Sequence, residues 1–216
     1  MSSRLRQHLP NVITVLRLVL AAAFFAVLNQ YRWPESSPTW GTVGIVLFVA
    51  AALTDAIDGA LARRWQVVST FGRIMDPFCD KVLVLGAFIY LAGPRFAILT
   101  PDGHVVGMAT SVAPWMVVVI LAREMLVTAI RGVVESSGVA FGAVWSGKLK
   151  MFLQSVTIPT VLGVAVHFRT GLDEPAFAAR LCDVLVWTTM LVTIWSGLPY
   201  ITRLRRLQMQ KPNADA

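Results

Sequence analysis

Six long apolar runs constrain the fold of this chain more than any other feature. They cover about residues 12–28, 42–57, 78–91, 112–130, 151–166 and 181–201. A helix that crosses a membrane needs roughly 20 apolar residues, and a soluble domain usually carries about 25% charged residues. This chain of 216 residues is 56% hydrophobic and only 14% charged. The pattern predicts an all-α integral membrane protein with six transmembrane helices.

The distribution of basic residues predicts the orientation of these helices. Twelve of the 19 Lys and Arg residues lie at the two termini or in the loops after the second and fourth runs, against four in the other loops. Since basic residues favour cytoplasmic loops, both termini are expected in the cytoplasm. The net charge of +7 is spread over these short loops, which indicates phosphate groups and lipid headgroups as partners, and no nucleic acid. We expect one membrane domain over residues 1–210 and a flexible tail at 211–216.

Two helix boundaries are less regular. Residues 2–11 mix leucines with basic side chains, which predicts a short interfacial helix that Pro10 separates from the first span. The third apolar run is short for a span. We therefore expect its helix to begin earlier, with Ser69 as its cap and a kink at Pro77.

Four aspartates lie within 26 residues around the loop between the second and third runs, although the whole chain has only 12 acids. They are Asp55, Asp58, Asp76 and Asp80. Residues three or four apart share one face of a helix, so each pair points in one direction. Acids in membrane segments are costly and usually functional. Clustered carboxylates suit Mg²⁺ or Mn²⁺, and two such ions can clamp the oxygens of a phosphoryl substitution.

The residues between the two aspartate pairs suit a substrate that contains phosphate. Gly59 leaves room for a substrate beside the backbone, and Ala62 is small for the same reason. Arg63 lies one turn after Gly59 and can pair with a phosphate oxygen. The full spacing is Asp-x2-Asp-Gly-x2-Ala-Arg-x8-Gly-x3-Asp-x3-Asp. This spacing resembles the signature of the CDP-alcohol phosphotransferase family.

Members of that family are six-helix membrane enzymes that displace CMP from a CDP-linked substrate with an alcohol, using two divalent metals. The resemblance implies that Asp55, Asp58 and Asp76 are metal ligands. It also implies that Asp80 lies at the metal site and acts as the general base. The residues that it assigns to the nucleotide and donor site are Asn11, Thr14, Arg17, Gly59, Ala62, Arg63 and Gly72.

For two basic side chains within the spans, the sequence is compatible with two roles, a contact in the site or an interaction with lipid headgroups. Arg17 is only about 10 Å from Pro10 along a helix, so it can equally snorkel to lipid headgroups. Lys81 can contact a phosphate or snorkel in the same way.

A second group of charged residues begins inside the fourth apolar run. Arg123 and Glu124 are costly there unless they serve a cavity. Arg131 lies two turns after Arg123 on nearly the same face, and Lys148 opens the next run from the same predicted side. We expect Arg123, Arg131 and Lys148 to bind the phosphate of an acceptor, with Glu124 fixing Arg131 or Lys148. Lys150 is expected to be an ordinary positive-inside anchor.

This basic group, together with residues 9–17, 76–84 and 193–196, resembles the branch of the family that uses glycerol 3-phosphate. The resemblance implies CDP-diacylglycerol as donor, and phosphatidylglycerophosphate and CMP as products. It implies a homodimer in a bacterial-type inner membrane, with the site facing the cytoplasm. One departure is the segment 94–111, which carries Pro-Asp-Gly and is expected to be a longer external loop opposite the site.

Alternatives remain at this stage. Within the family, inositol phosphate, phosphatidylglycerol and serine are other possible acceptors, although the basic group favours a phosphorylated one and weakens serine. A cation transporter is the competing class of protein. A transporter predicts acids near the bilayer midplane or on several spans, whereas here they cluster at the ends of two neighbouring spans.

Overall fold

Helices form almost all of the fold. The computed structural model describes the backbone of residues 3–65, 70–136, 145–169 and 175–209, and the side chains of residues 12–54, 75–136, 145–169 and 175–205. The helices in these ranges are α1 (Ser3–Leu28), α2 (Pro38–Trp65), α3 (Thr70–Leu91), α4 (Pro114–Ser136), α5 (Trp145–His167), α6 (Ala176–Trp195) and α7 (Leu198–Met209). A 3-10 turn (Pro94–Phe96) and two strands, β1 (Ala97–Leu99) and β2 (Val105–Met108), lie between α3 and α4.

The surface of the bundle is apolar. Two of the described helical stretches, Trp145–His167 and Ala176–Arg205, are long and apolar enough to cross a membrane, and Val12–Leu28 and Pro38–Thr54 are shorter apolar helices. Many large apolar side chains on the outer faces of the helices are more than half exposed. Soluble monomers rarely expose so much contiguous apolar surface. Together these features indicate a helical membrane protein.

The helices pack closely around an aromatic and aliphatic core. Helix α1 packs against α2 and α3, while α5 lies between α2 and α6, and α4 contacts α6 and α7. Two glycines permit close helix approach. A Cβ on Gly86 would lie 2.4 Å from Cζ of Phe25, and one on Gly41 would lie 2.3 Å from Cγ2 of Val166. Small residues at such crossings let the backbones of membrane helices come together.

The predicted break at Pro10 is wrong, because within the described backbone the residues before Pro10 belong to the same helix as the first span. Helix α1 runs from Ser3 to Leu28 without interruption. A proline removes the backbone hydrogen bond to the residue four positions earlier and crowds that carbonyl, but the bonds on either side continue this helix. Helix α3 likewise passes through Pro77 and begins at Thr70, ahead of the third apolar run as expected. Ser69 and the predicted tail at 211–216 lie outside the described residues.

The predicted sixth span, residues 181–201, is divided into two helices. Helix α6 ends at Trp195, and α7 begins at Leu198 after a turn at Ser196 and Gly197. Pro199 contributes to the division. Its ring nitrogen has no proton to donate to the carbonyl of Trp195, and the glycine at position 197 is itself a poor helix former, so the two residues together favour a break here. The Gly197 N–H instead bonds to the Ile194 carbonyl at 2.9 Å.

The segment 94–111, which was expected to be a long loop, contains regular secondary structure. Strands β1 and β2 form an antiparallel hairpin, so the described part of the chain is all-α except for this two-stranded sheet. The turn follows from the Pro-Asp-Gly sequence, where Gly103 has φ 81°. Glycine adopts this left-handed conformation without steric cost. The Thr100 N–H bonds to the His104 carbonyl at 2.8 Å and closes the hairpin.

Candidate active site

A cavity of about 680 Å³ lies at the end of the bundle away from the hairpin, among α3, α4, α5 and α7. Side chains far apart in the sequence meet around it. The polar and charged ones are Asp76, Asp80, Lys81, Arg123, Glu124, Thr128, Arg131, Glu135, Lys148, Lys150 and Tyr200. The structure thus brings two of the predicted metal ligands and all three predicted acceptor-binding residues to one space.

Asp76 and Asp80 are one turn apart on α3, and both line this cavity. The hydroxyl of Thr14, on α1, donates to Oδ1 of Asp76 at 2.8 Å. Thr14 is buried, so little water competes for this bond. Thr14 was expected at the donor site, and its observed contact orients one carboxylate of the aspartate pair.

Arg17 lies one turn after Thr14 on α1 and is only 1% exposed. The alternative that its guanidinium snorkels to lipid headgroups is therefore wrong, because snorkelling needs an exposed head. Arg17 and Asp80 line a second cavity of about 40 Å³ between α1, α2, α3 and α5. This places a buried positive charge beside the predicted general base, while its assignment to the donor site stays a prediction.

Glu124 is the centre of a buried ion-pair network. Its Oε1 accepts from Arg123 Nη1 at 2.9 Å and from Lys150 Nζ at 2.7 Å. The predicted partners Arg131 and Lys148 are wrong. The reason is helical geometry: residues two apart point in different directions, and the structure buries Lys150 while Lys148 stays exposed. Lys150 is therefore part of the site and does not serve only as a topological anchor.

Arg123 is held from both sides. In addition to its bond to Glu124, its Nη2 donates to the Ser196 hydroxyl at 2.8 Å. Its guanidinium carbon lies 5.9 Å from the ring centroid of Tyr200, within the range of a cation–π interaction. These contacts join α4 to the junction of α6 and α7.

The remaining cations of the cavity are less constrained by ion pairs. Nε of Arg131 is buried and has no hydrogen-bond partner within the described part of the chain. Lys148 is exposed at the start of α5. Lys81 donates to the Thr128 hydroxyl at 2.6 Å, and that hydroxyl donates to the Glu124 carbonyl at 2.7 Å. Arg131 and Lys148 are thus the cations best placed to receive an anion.

The other predicted site residues lie on helices but outside the described side chains. Asp55, Asp58, Gly59, Ala62 and Arg63 belong to the last part of α2. The remaining two are Asn11 in α1 and Gly72 in the first turn of α3. Their roles stay predictions.

The described donors fit a hard divalent cation. Asp76 and Asp80 offer carboxylate oxygens one turn apart, and Thr14 holds one of the carboxylates in place. Carboxylate oxygens are the ligands that Mg²⁺ and Mn²⁺ prefer. Among the described side chains no three His, Cys, Asp or Glu residues group around one point. Asp55 and Asp58, which complete the predicted ligand set, lie outside those side chains.

Several residues of the site were not predicted from the sequence. Lys150, Thr128, Ser196 and Tyr200 all contribute contacts to the network around Arg123 and Glu124. The Gly-Leu-Pro stretch after Ser196 is a helix-breaking signal that could have located the α6–α7 junction. Nothing in the sequence pairs Lys150 with Glu124, since they are 26 residues apart on different helices.

Several known proteins are similar to this chain over most of its length. A Bacillus subtilis protein named CDP-diacylglycerol–glycerol-3-phosphate 3-phosphatidyltransferase is 31% identical over 91% of this chain and 94% of its own length. A Mycobacterium tuberculosis protein named "Probable phosphatidylglycerophosphate synthase" is 32% identical over 92% of this chain and 82% of its own. A Blochmanniella floridana protein with the same name as the Bacillus one is 27% identical over 94% of both chains.

The family comparison covers most of the fold. A model of the family described as CDP-alcohol phosphatidyltransferase matches residues 7–195, which include both aspartate pairs and the basic residues of the cavity. The match confirms the resemblance in the aspartate spacing and identifies the chain as an enzyme of this class. The chain belongs to the CDP-alcohol phosphatidyltransferase family.

Proposed function

We propose that the protein transfers the phosphatidyl group of CDP-diacylglycerol to glycerol 3-phosphate, giving phosphatidylglycerophosphate and CMP. The observation that carries this proposal is a single cavity that brings Asp76 and Asp80 of α3 together with the cations of α4 and α5. The carboxylates suit the reacting diphosphate with its metals, and the cations suit an acceptor that has a phosphate of its own. The names of the relatives support the same reaction.

The acceptor end of the cavity is formed by Arg123, Arg131 and Lys148. Arginine offers several N–H donors in a fixed fork, which matches phosphate oxygens, and lysine adds a mobile point charge. Glu124 neutralises part of the charge of Arg123 and Lys150. A dianionic phosphate therefore enters a site with a surplus of positive charge, whereas an acceptor with no net charge, such as zwitterionic serine, would leave that surplus unmatched.

The reacting end lies around Asp76 and Asp80. The hydroxyl oxygen of glycerol 3-phosphate attacks the phosphorus that bears the diacylglycerol. Asp80 takes up the proton of that hydroxyl as the attack proceeds. A new oxygen–phosphorus bond forms, the bond from that phosphorus to the bridging oxygen breaks, and CMP leaves with the bridging oxygen. Thr14 keeps the Asp76 carboxylate oriented during this exchange. Arg17 lines a small cavity together with Asp80, so a buried positive charge is available at that cavity.

Four aspartates would hold the two divalent cations, Mg²⁺ or Mn²⁺: Asp55, Asp58, Asp76 and Asp80. When bound, these ions supply electrostatic stabilisation to the phosphate oxygens and to the leaving CMP. We assign the remaining donor contacts to Asn11, Gly59, Ala62, Arg63 and Gly72 on the strength of the family spacing.

The proposed setting is a bacterial inner membrane. In this proposal the chain has six spans with both termini in the cytoplasm, and the cavity faces the cytoplasm. The chain acts as a homodimer in this proposal. Membership of the family leaves the transporter alternative without support.

Purified protein with CDP-diacylglycerol and Mg²⁺ or Mn²⁺ tests the reaction, with CMP release as the readout. Glycerol 3-phosphate, inositol phosphate, phosphatidylglycerol and serine are offered one at a time, and omission of the acceptor or addition of a chelator serves as control. We expect release with glycerol 3-phosphate. Release with inositol phosphate alone would show that inositol phosphate, and not glycerol 3-phosphate, is the acceptor. Release with none of them would reject the proposal.

A further inference from the structure

The junction of α6 and α7 surrounds Arg123. We define this elbow by Ser196, Gly197 and Tyr200. Ser196 accepts a hydrogen bond from Nη2 at 2.8 Å, and the Tyr200 ring lies under the guanidinium. A Cβ on Gly197 would lie 3.5 Å from Cγ of Arg123, so the backbone of the elbow also lies close to the aliphatic part of this side chain. Groups from Ser196, Gly197 and Tyr200 therefore lie around a single cavity side chain.

The bond between Ser196 and Arg123 has a defined polarity. The single proton of the Ser196 hydroxyl goes to the Thr193 carbonyl at 2.8 Å. The oxygen can then only accept, and Arg123 is the donor that it receives. Ser196 is 0% exposed and the Arg123 side chain is 9% exposed, so water does not readily replace either partner.

The elbow also determines how Glu124 is shared. One oxygen of Glu124 receives both Arg123 and Lys150. An arginine and a carboxylate generally prefer two parallel hydrogen bonds. Here Nη1 donates to Glu124 while Nη2 donates to Ser196. The guanidinium has five N–H groups, of which these two partners use two. Its Nε is among the groups with no partner in the described part of the chain.

We propose that the α6–α7 elbow, acting through Ser196, positions Arg123 for the phosphate of the acceptor. Ser196 is thus a positioning residue that sets acceptor affinity without touching the acceptor. This inference rests on the proposed function, because it assigns Arg123 to the acceptor phosphate. Without the serine hydroxyl, Arg123 turns toward Glu124, withdraws from the cavity and competes with Lys150 for the same carboxylate.

Kinetics of Ser196→Ala test this proposal. We expect the KM for glycerol 3-phosphate to rise about tenfold, the equivalent of one hydrogen bond to a charged group. The KM for CDP-diacylglycerol should change less than about twofold, since the donor meets other walls of the cavity. Tyr200→Leu provides a second variant and should raise the acceptor KM about threefold by removal of the cation–π contact. A merely structural role would lower the amount of active enzyme and leave both KM values unchanged.

Thr189→Val is the matched control. Thr189 is also a buried hydroxyl on α6, but it bonds to Thr157 at 2.7 Å and does not contact Arg123. Its acceptor KM should equal that of the wild type. An unchanged acceptor KM in both Ser196→Ala and Tyr200→Leu would overturn the positioning role.

Calorimetry with glycerol 3-phosphate separates this inference from the proposed function. If the wild type releases no CMP with this acceptor, the reaction is wrong, but binding of glycerol 3-phosphate still tests the elbow. About tenfold weaker binding to Ser196→Ala than to the wild type supports the positioning role. Equal binding by the two proteins, or no binding by the wild type, overturns it.

Discussion

The two ends of the bundle both bury arginine, but they use it differently. At the hairpin end, Nη1 of Arg169 donates to the Ala109 carbonyl at 2.6 Å, and its own carbonyl accepts the indole N–H of Trp33. At the cavity end, Arg123 bonds to the side chains of Glu124 and Ser196. The shortest contacts of Arg169 use main-chain carbonyls, its own and that of Ala109, whereas Arg123 belongs to a network of side chains.

The cavities at the two ends differ in the same way. The one beside the hairpin, about 500 Å³, has Arg169 and Asp183 as its only charged lining residues among those described. The 680 Å³ cavity has five cations and four acids among its lining residues. A buried charge is therefore a weak sign of a site when considered alone. A group of cations opposite a carboxylate pair is a stronger sign, because such an arrangement is costly without a ligand.

Other contacts at the hairpin end are also structural. Nη2 of Arg95 donates to Asn29 Oδ1 at 3.0 Å, and the backbone N–H of Trp33 donates to the Arg95 carbonyl at 2.9 Å. Burial raises the pKa of Tyr31 to about 12, so its phenol stays neutral at physiological pH. This end holds the helix connections together, and substitutions there should affect stability in preference to turnover.

The largest expected effect comes from Asp80→Asn at the cavity end. The amide has the shape of the carboxylate but cannot accept the proton of the attacking hydroxyl, so kcat should fall about 1,000-fold. Donor binding should change little, and CMP release alongside a donor-binding assay measures both. Equal loss of donor affinity would make Asp80 mainly a metal ligand.

The second-largest effect is expected for Arg131→Ala, at the acceptor end of the cavity. Loss of a guanidinium from the acceptor wall is expected to raise the KM for glycerol 3-phosphate about 30-fold, with a much smaller change for the donor. Arg180→Ala, an exposed arginine near the start of α6, is the matched control. An acceptor KM equal to that of the wild type would remove Arg131 from the pocket.

Arg169→Met tests whether the hairpin end contributes to stability and not to substrate affinity. The substitution leaves the buried Ala109 carbonyl without its donor, which should lower the free energy of unfolding by about 2 kcal/mol. Thermal unfolding in detergent measures this loss. The KM values of the folded protein should match the wild type, and a shifted acceptor KM would contradict a purely structural role for this end.

Thr14→Val should have the smallest effect of the four. Without the hydroxyl, the Asp76 carboxylate is less well oriented, and the Mg²⁺ concentration for half-maximal activity should rise about threefold. Thr160→Val is the control, since its hydroxyl bonds only to the Val156 carbonyl on an exposed face of α5. An unaltered metal requirement would show that Thr14 does not support the metal site.

Much of the site was predictable because its local geometry follows the helical repeat. The spacing of Asp76 and Asp80 places both on one face of α3, and both line the cavity. Arg123 and Arg131 share a face of α4 for the same reason. The division between α6 and α7 was missed because apolar residues continue across it, although Pro199 marks it in the sequence.

The sequence by itself determined the helical class, the membrane setting and the two groups of charged residues, since these depend on composition and on spacing within single helices. Only the tertiary structure decided that Glu124 pairs with Lys150 and Arg123, that Arg17 is buried beside Asp80, and that Ser196 holds Arg123. These contacts depend on how far each helix is rotated toward its neighbours. That rotation is set by close crossings and by many apolar contacts along the bundle, which no local pattern contains.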